Sequence, residues 1–185
     1  MVDTVAALEM TGVPYWADYG TLLGAVRNPL TTWADYSWLP PSQHPEGPLA
    51  PGIIPHDKDA DFGFLATQWG RLKRAAIELE AKGYSLRVNP LKFKMKVRLS
   101  RLNRTSLDLF GWHERSNGVM YRLAYLGVDQ YKGRDFPRTL LYPIGTVEWE
   151  GLQLAAPRDP VAFCAMRYGP HWKTPIPANN DGVRR

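Results

Sequence analysis

Asp59 and Asp61, in the stretch His56-Asp57-Lys58-Asp59-Ala60-Asp61-Phe62-Gly63-Phe64, have the side chains best placed in this sequence to do chemistry. On a strand, residues two apart leave the same face, so both carboxylates point one way while Ala60 and Phe62 point the other. Carboxylates that close repel one another unless something positive lies between them, and the usual remedy is a hard divalent cation with oxygen ligands. A cation held there is placed to polarise phosphate oxygens. The bland alternative is a pair of solvated acids at a strand terminus.

Asp108 is the next acid of interest. In Thr105-Ser106-Leu107-Asp108-Leu109-Phe110 it stands alone among apolar residues whose side chains leave by the opposite face. A buried charge there requires a partner. A core arginine would serve; the preferred reading makes Asp108 the third carboxylate of the cation site. Two further stretches suit an anion. Gly20-Thr21 opens a helical pattern through Leu22, Leu23 and Val26, and the free N–H groups of a helix start favour phosphate. Thr21 adds a hydroxyl, and Arg27 a guanidinium one helix length on. Lys92-Phe93-Lys94-Met95-Lys96-Val97-Arg98-Leu99 alternates strictly, with a basic face that is either solvated or, through Lys94 and Lys96, holds a diphosphate. His56 adjoins the acids in a supporting position. His44, His113 and His171 are too scattered to suggest a metal site.

The elements that must carry these groups follow in order. A short helix is expected over Asp3 to Thr11, with Val5, Leu8 and Met10 as its apolar side, then a strand over Pro14 to Tyr19. Asn28 to Pro51 holds six prolines with Trp33, Tyr36 and Trp38 and no regular period. A loop of that length inside a domain is functional or disordered, and its aromatics favour a lid or acceptor flap over plain disorder; an excursion packed on the body is the alternative. After the acidic strand, Thr67 is a candidate cap for a helix to about Lys82, followed by strands at Tyr84 to Val88, Lys92 to Leu99, Thr105 to Phe110 and Met120 to Leu126. A hairpin turns near Glu150-Gly151. Asp159-Pro160 starts a helix to Tyr168, with Val161, Cys164, Ala165 and Tyr168 on one face and Gly169-Pro170 at its end.

Composition sets the bounds. The chain has 185 residues, enough for one domain with a real core. A hydrophobic content of 44% and a charged content of 22% are those of a soluble globular protein. The net charge of +5 suits an anionic ligand, yet no block of like charges marks a nucleic-acid arm. The single cysteine, Cys164, excludes an internal disulfide and reads as a buried thiol. No apolar run is long enough to span a bilayer and no basic leader precedes one, so a cytoplasmic location is expected.

Tyr19-Gly20-Thr21-Leu22-Leu23-Gly24-Ala25-Val26-Arg27 followed by Ile54-Pro55-His56-Asp57-Lys58-Asp59-Ala60-Asp61 resembles the LicD family, which includes fukutin and fukutin-related protein, within the nucleotidyltransferase superfamily. Leu107-Asp108-Leu109-Phe110, Tyr142-Pro143, Trp149-Glu150-Gly151, Ala156-Pro157 and Arg167-Tyr168-Gly169-Pro170-His171-Trp172 resemble that family's later blocks. The resemblance implies an α+β fold, a single-domain nucleotidyltransferase-like mixed β-sheet with flanking helices. The resemblance runs from about Val13 to Pro175, and the domain it implies spans residues 1–175, with 28–51 as an inserted Pro/aromatic loop and 176–185 as a flexible tail. It implies transfer of a phospho-alcohol, such as phosphocholine or ribitol phosphate, from a CDP-linked donor to a hydroxyl of a glycan or small sugar, releasing CMP. Mg²⁺ or Mn²⁺ would be the cofactor, with Asp59, Asp61 and Asp108 as ligands and catalytic acids and Asp57 as an outer ligand. Gly20 and Thr21 would contact phosphate. The insertion at 28–51 departs from the family pattern and bears on the acceptor. Two competing functions remain: transfer of NMP from CTP or ATP to a small hydroxyl or amine, and a non-catalytic nucleotide- or partner-binding module. Nucleic acid is not an expected partner.

Overall fold

The computed structural model describes residues 1–40, 49–98, 106–123 and 135–176. Helix α1 (Val2–Met10) buries Thr4, Ala7 and Leu8, while Met10, expected on its apolar side, is exposed. Strand β1 (Tyr15–Ala17) is shorter than the aromatic run suggests, because Asp18 ends it by capping helix α2 (Tyr19–Arg27). Strand β2 (Asp59–Leu65) leads through a 3₁₀ turn into helix α3 (Trp69–Ala81), whose buried stripe is Leu72, Ala75, Ala76 and Leu79. Gln68, not Thr67, precedes that helix, and no side chain caps it. Strands β3 (Ser85–Asn89), β4 (Lys94–Arg98), β5 (Ser106–Glu114), β6 (Val119–Tyr121) and β7 (Phe136–Pro137) follow. A short helix α4 (Arg138–Leu141), the hairpin β8 (Gly145–Trp149) and β9 (Leu152–Ala156), and helix α5 (Pro160–Tyr168) complete the described chain.

The main sheet runs β1-β2-β5-β4-β3, with β6 on the far end of β5 and β7 beside β6. Only β2 and β5 are parallel; their neighbours run antiparallel, so the sheet is mixed. Parallel pairing needs a long crossover, and α3 with the β3-β4 hairpin supplies it. The core takes Ala60, Phe62 and Phe64 from β2, Leu107 and Leu109 from β5, and Met95 and Val97 from β4. These are the alternate residues of each strand, so their intervening neighbours stand together on the opposite face. Phe93 takes a left-handed conformation (φ 45°) before β4 begins, so the alternation expected from Lys92 starts two residues later, at Lys94; Leu99 lies outside the described residues.

Three expectations meet their outcome at the chain's punctuation. Glu150 (φ 50°) and Gly151 (φ 74°) turn the β8–β9 hairpin where expected, in the double positive-φ geometry that two-residue hairpins favour. Asp159 accepts from the Ala162 N–H at 2.9 Å and Pro160 opens α5. Val161, expected on that helix's apolar face, is 50% exposed, and Phe163 with Cys164 form the buried side instead. Trp172 packs back on the core.

The start of the inserted stretch is ordered on the body of the fold. Two 3₁₀ turns, Asn28–Leu30 and Trp33–Tyr36, bring Tyr36 into full burial, with Trp33, Trp38 and Leu39 packed beside the core. Asn28 Nδ2 donates to the carbonyls of Gly52 (3.3 Å) and Ile53 (3.0 Å), joining the point where the chain leaves the fold to the point where it returns. The middle of the expected lid, 41–48, and the tail, 177–185, lie outside the described residues.

Candidate active site

The parallel register sets Asp61 directly beside Asp108 and Asp59 beside Ser106. With their apolar neighbours in the core, the three carboxylates share the open face, and one oxygen from each of Asp59, Asp61 and Asp108 lies within 4.8 Å of the others. Asp57 closes the cluster from the turn before β2, where its N–H donates to the Ile54 carbonyl at 2.7 Å. His56 sits half-buried in the same turn. Burial raises the pKa of Asp59 to about 6, helped by a hydrogen bond shared with Asp57, by its charge and by that of Asp108, against the pull of Lys96. Asp61 is held well above the usual carboxylate range, first by burial, then by the charges of Asp59, Asp108, Asp18 and Asp57.

Asp108 is 5% exposed and meets two lysines from β4: Lys94 Nζ at 2.8 Å from Oδ2 and Lys96 Nζ at 3.2 Å from Oδ1. Lys96 also donates to Ser106 Oγ at 3.0 Å. The basic face of β4 is therefore not merely solvated; it stands beside the acids, directed at Asp108. The Lys96 contact is an ion pair without hydrogen-bond geometry, leaving Asp108 Oδ1 buried with no donor. An orphaned carboxylate oxygen facing two further carboxylates is a donor set that suits a hard divalent cation.

Helix α2 holds Asp61 by its backbone. The Asp18 N–H donates to the Asp61 carbonyl at 2.9 Å, and the Asp61 N–H donates to Thr21 Oγ1 at 2.7 Å. Thr21 is fully buried, so its hydroxyl first serves the strand. Gly20 belongs to the first turn of the helix, not to a turn before it. A Cβ there would stand 2.5 Å from Asp57 Oδ2, so a carboxylate of this chain is what approaches its backbone. Arg27 does not reach this end. It is 5% exposed at the other terminus of α2, where its Nη2 donates to Tyr36 Oη at 3.3 Å, which corrects its assignment to a phosphate.

Behind the acids lies a buried ion pair that the local sequence pattern does not announce. Asp18 is fully buried; it accepts from the Tyr19 N–H and from Trp112 Nε1, both at 2.9 Å, and pairs with Arg167 Nη2 of α5 at 3.3 Å. The Arg167 guanidinium lies over the rings of Tyr19 (4.6 Å), Phe163 (4.9 Å) and Trp112 (5.1 Å). Arg122 donates to Tyr19 Oη at 2.7 Å and covers Phe110 at 4.1 Å. Asp18 was readable as an N-cap, an aspartate just ahead of a helical pattern. Arg167 carried no such signal.

A family model described as "LicD/FKTN/FKRP, nucleotidyltransferase domain" matches residues 50–159. The chain belongs to this family. It is 27% identical over 172 residues to uncharacterized protein RP689 of Rickettsia prowazekii, covering 93% of this chain and 53% of that one. It is 26% identical over 171 residues to the ribitol 5-phosphate transferase FKRP of Homo sapiens, covering 90% of this chain and 30% of that one. The chain thus spans about half or less of the curated relatives it matches. Among solved structures, the lincosamide antibiotic adenylyltransferase LnuA aligns with a TM-score of 0.44 at 12% identity, over 83% of this chain and 75% of that one. No helix among the described residues is long and apolar enough to cross a membrane.

Proposed function

We propose that this protein transfers a phospho-alcohol from a CDP-linked donor to a hydroxyl of a glycan or small sugar, with release of CMP. The observation that carries the reading is the convergence of Asp59, Asp61 and Asp108, with the buried Oδ1 of Asp108 lacking a donor. The similarity to human FKRP, a ribitol 5-phosphate transferase, supports the class of group moved. Asp59, Asp61 and Asp108 would hold Mg²⁺ or Mn²⁺, with Asp57 as outer support. A cation held there supplies charge neutralisation of a diphosphate and a lowered pKa for the attacking hydroxyl.

In the transfer, the acceptor oxygen forms a bond to the phosphorus that carries the alcohol. The bond from that phosphorus to the bridging oxygen breaks, and CMP leaves with the bridging oxygen. The Asp59 carboxylate takes the acceptor proton. Lys94, with 32% of its side chain exposed, keeps N–H groups for a phosphate oxygen while paired with Asp108. Gly20 and His56 border the space where the diphosphate would lie, and Thr21 fixes Asp61 within it.

Incubation with CDP-ribitol or CDP-choline, Mg²⁺ and a panel of sugars is expected to release CMP. Consumption of CTP or ATP with pyrophosphate release, and no CMP from any CDP-alcohol, would replace this reading with nucleotidyl transfer.

A further inference from the structure

The tip of the β8–β9 hairpin reaches the stretch by which the chain returns to the fold before β2. Backbone and side chain of Glu150 both serve that stretch. Its N–H donates to the Pro51 carbonyl at 2.8 Å, and its Oε1 accepts from the Ile53 N–H at 2.9 Å. The residue between them is Gly52, where a Cβ would collide with Glu150 Oε1. Asn28, just past α2, grips the same stretch through the Gly52 and Ile53 carbonyls.

Glu150 is poorly suited to the turn it makes. It sits at φ 50°, a left-handed conformation that asparagine and glycine adopt far more readily, and hairpins of this kind favour Asn-Gly. Its side chain is exposed, so it adds little buried surface to the hairpin. What the carboxylate does is hold the Ile53 N–H. From Ile53 the path to the acids is short and anchored. Ile54 is buried, its carbonyl accepts from the Asp57 N–H at 2.7 Å, and Asp59 opens β2 two residues on. Ile53 and Trp149, the residue before Glu150, border one cavity with Asp59. A shift at residue 53 is therefore carried into Asp57 and Asp59.

We infer that Glu150 is a positioning residue for the cation site. It acts through the Ile53 backbone to fix the turn that carries Asp57 and Asp59, and it touches neither cation nor substrate. The inference rests on the reading above, which puts a cation on Asp59, Asp61 and Asp108. Such coupling is reciprocal: if the Glu150 contact tightens the cation, the cation tightens the contact by the same factor.

Glu150→Asn and Glu150→Gln separate this role from a structural one. Asparagine suits the left-handed turn better than glutamate and keeps the backbone N–H, but its side chain is a methylene too short for Ile53. Glutamine keeps both the reach and an acceptor oxygen. Mn²⁺ affinity, read by electron paramagnetic resonance, is expected to fall about tenfold in Glu150→Asn, the low end for outer partners of metal ligands, and to stay within about twofold in Glu150→Gln. The melting temperature of metal-free Glu150→Asn should equal or exceed that of wild type. With a CDP-alcohol, Glu150→Asn should need more Mg²⁺ for half-maximal CMP release and recover the wild-type kcat at saturating Mg²⁺. On the wild-type protein, Mg²⁺ should slow hydrogen exchange of the Ile53 amide about tenfold, the reciprocal effect. That readout needs no variant. Equal Mn²⁺ affinity in wild type and Glu150→Asn overturns the inference, as does a loss in Glu150→Gln as large as in Glu150→Asn. So does a melting temperature that falls along with the affinity, or Ile53 exchange that Mg²⁺ leaves unchanged. CMP release with Mn²⁺ affinity indifferent to Glu150 sinks the positioning role alone. Mn²⁺ affinity that follows Glu150, without turnover of any CDP-alcohol, keeps the role and sinks the donor reading. No Mn²⁺ binding by wild type overturns both.

Discussion

The backbone N–H of Asp18 donates to the carbonyl oxygen of Asp61 at 2.9 Å, so the residue that caps α2 also sets the height of a carboxylate in the site. The Asp18 side chain is in turn held by Trp112 and Arg167. Position is thus relayed from the last helix, through a buried ion pair, to the acidic strand.

Breaking that relay on one side should cost more than removing it. Asp18→Ala leaves the Arg167 guanidinium buried without its counter-charge and is expected to destabilise by about 3–5 kcal/mol. Asp18→Asn combined with Arg167→Met removes both charges at similar volume and should recover most of that loss. Urea unfolding of Asp18→Asn, Arg167→Met and the double that combines them forms the cycle. Additive losses would mean that the pair is not coupled.

Asp61→Asn should separate stability from activity. It removes a buried carboxyl group repelled by four other carboxylates, so the metal-free protein should melt at the same temperature or higher. Turnover of a CDP-alcohol should fall by about two orders of magnitude or more, because a cation ligand is lost. A lower melting temperature with activity retained would contradict both halves.

The metal-free protein should lose stability as pH rises. Asp59 has its folded pKa raised from 3.8 to about 6, and Asp61 is raised in the same direction. Between about pH 4 and pH 6 the unfolded chain has released protons that the folded one retains, so the stability slope is negative there. Mg²⁺ binds the ionised acids and should flatten the slope. Melting curves from pH 4 to pH 8, with Mg²⁺ and with chelator, check this; a rise in melting temperature across pH 4–6 without metal would refute it.

Gly24→Ala should uncouple α2 from the returning chain. A Cβ at Gly24 would stand 2.0 Å from the Gly52 carbonyl oxygen, a backbone atom that cannot swing aside. The expected loss is about 1–3 kcal/mol, the scale of overpacking. Because Gly52 leads into Asp57 and Asp59, Mn²⁺ affinity, read by electron paramagnetic resonance, should weaken as well. Unchanged stability would show that α2 and residue 52 can move apart freely.

Much of the site was legible because strands with one buried face announce the other. The Leu107-Asp108-Leu109 alternation put the acid opposite the core, and Asp59-Ala60-Asp61-Phe62 did the same on its own strand. The partner of Asp108 was not legible: cation ligand and ion pair were both open, and the structure brings it both carboxylates and two lysines. Arg27 misled because spacing from Gly20 says nothing of what a distant tyrosine does; Tyr36 captures it. Arg167 was invisible because its role depends on α5 docking near α2, a contact between residues 149 positions apart that no local period encodes.

Asn28 clasps the carbonyls of Gly52 and Ile53, while Leu39 and Leu49 each rest on the core. Departure and re-entry therefore share one seam, made at residues 28, 52 and 53. Loosening that seam would shift the stretch that leads directly into Asp57 and Asp59.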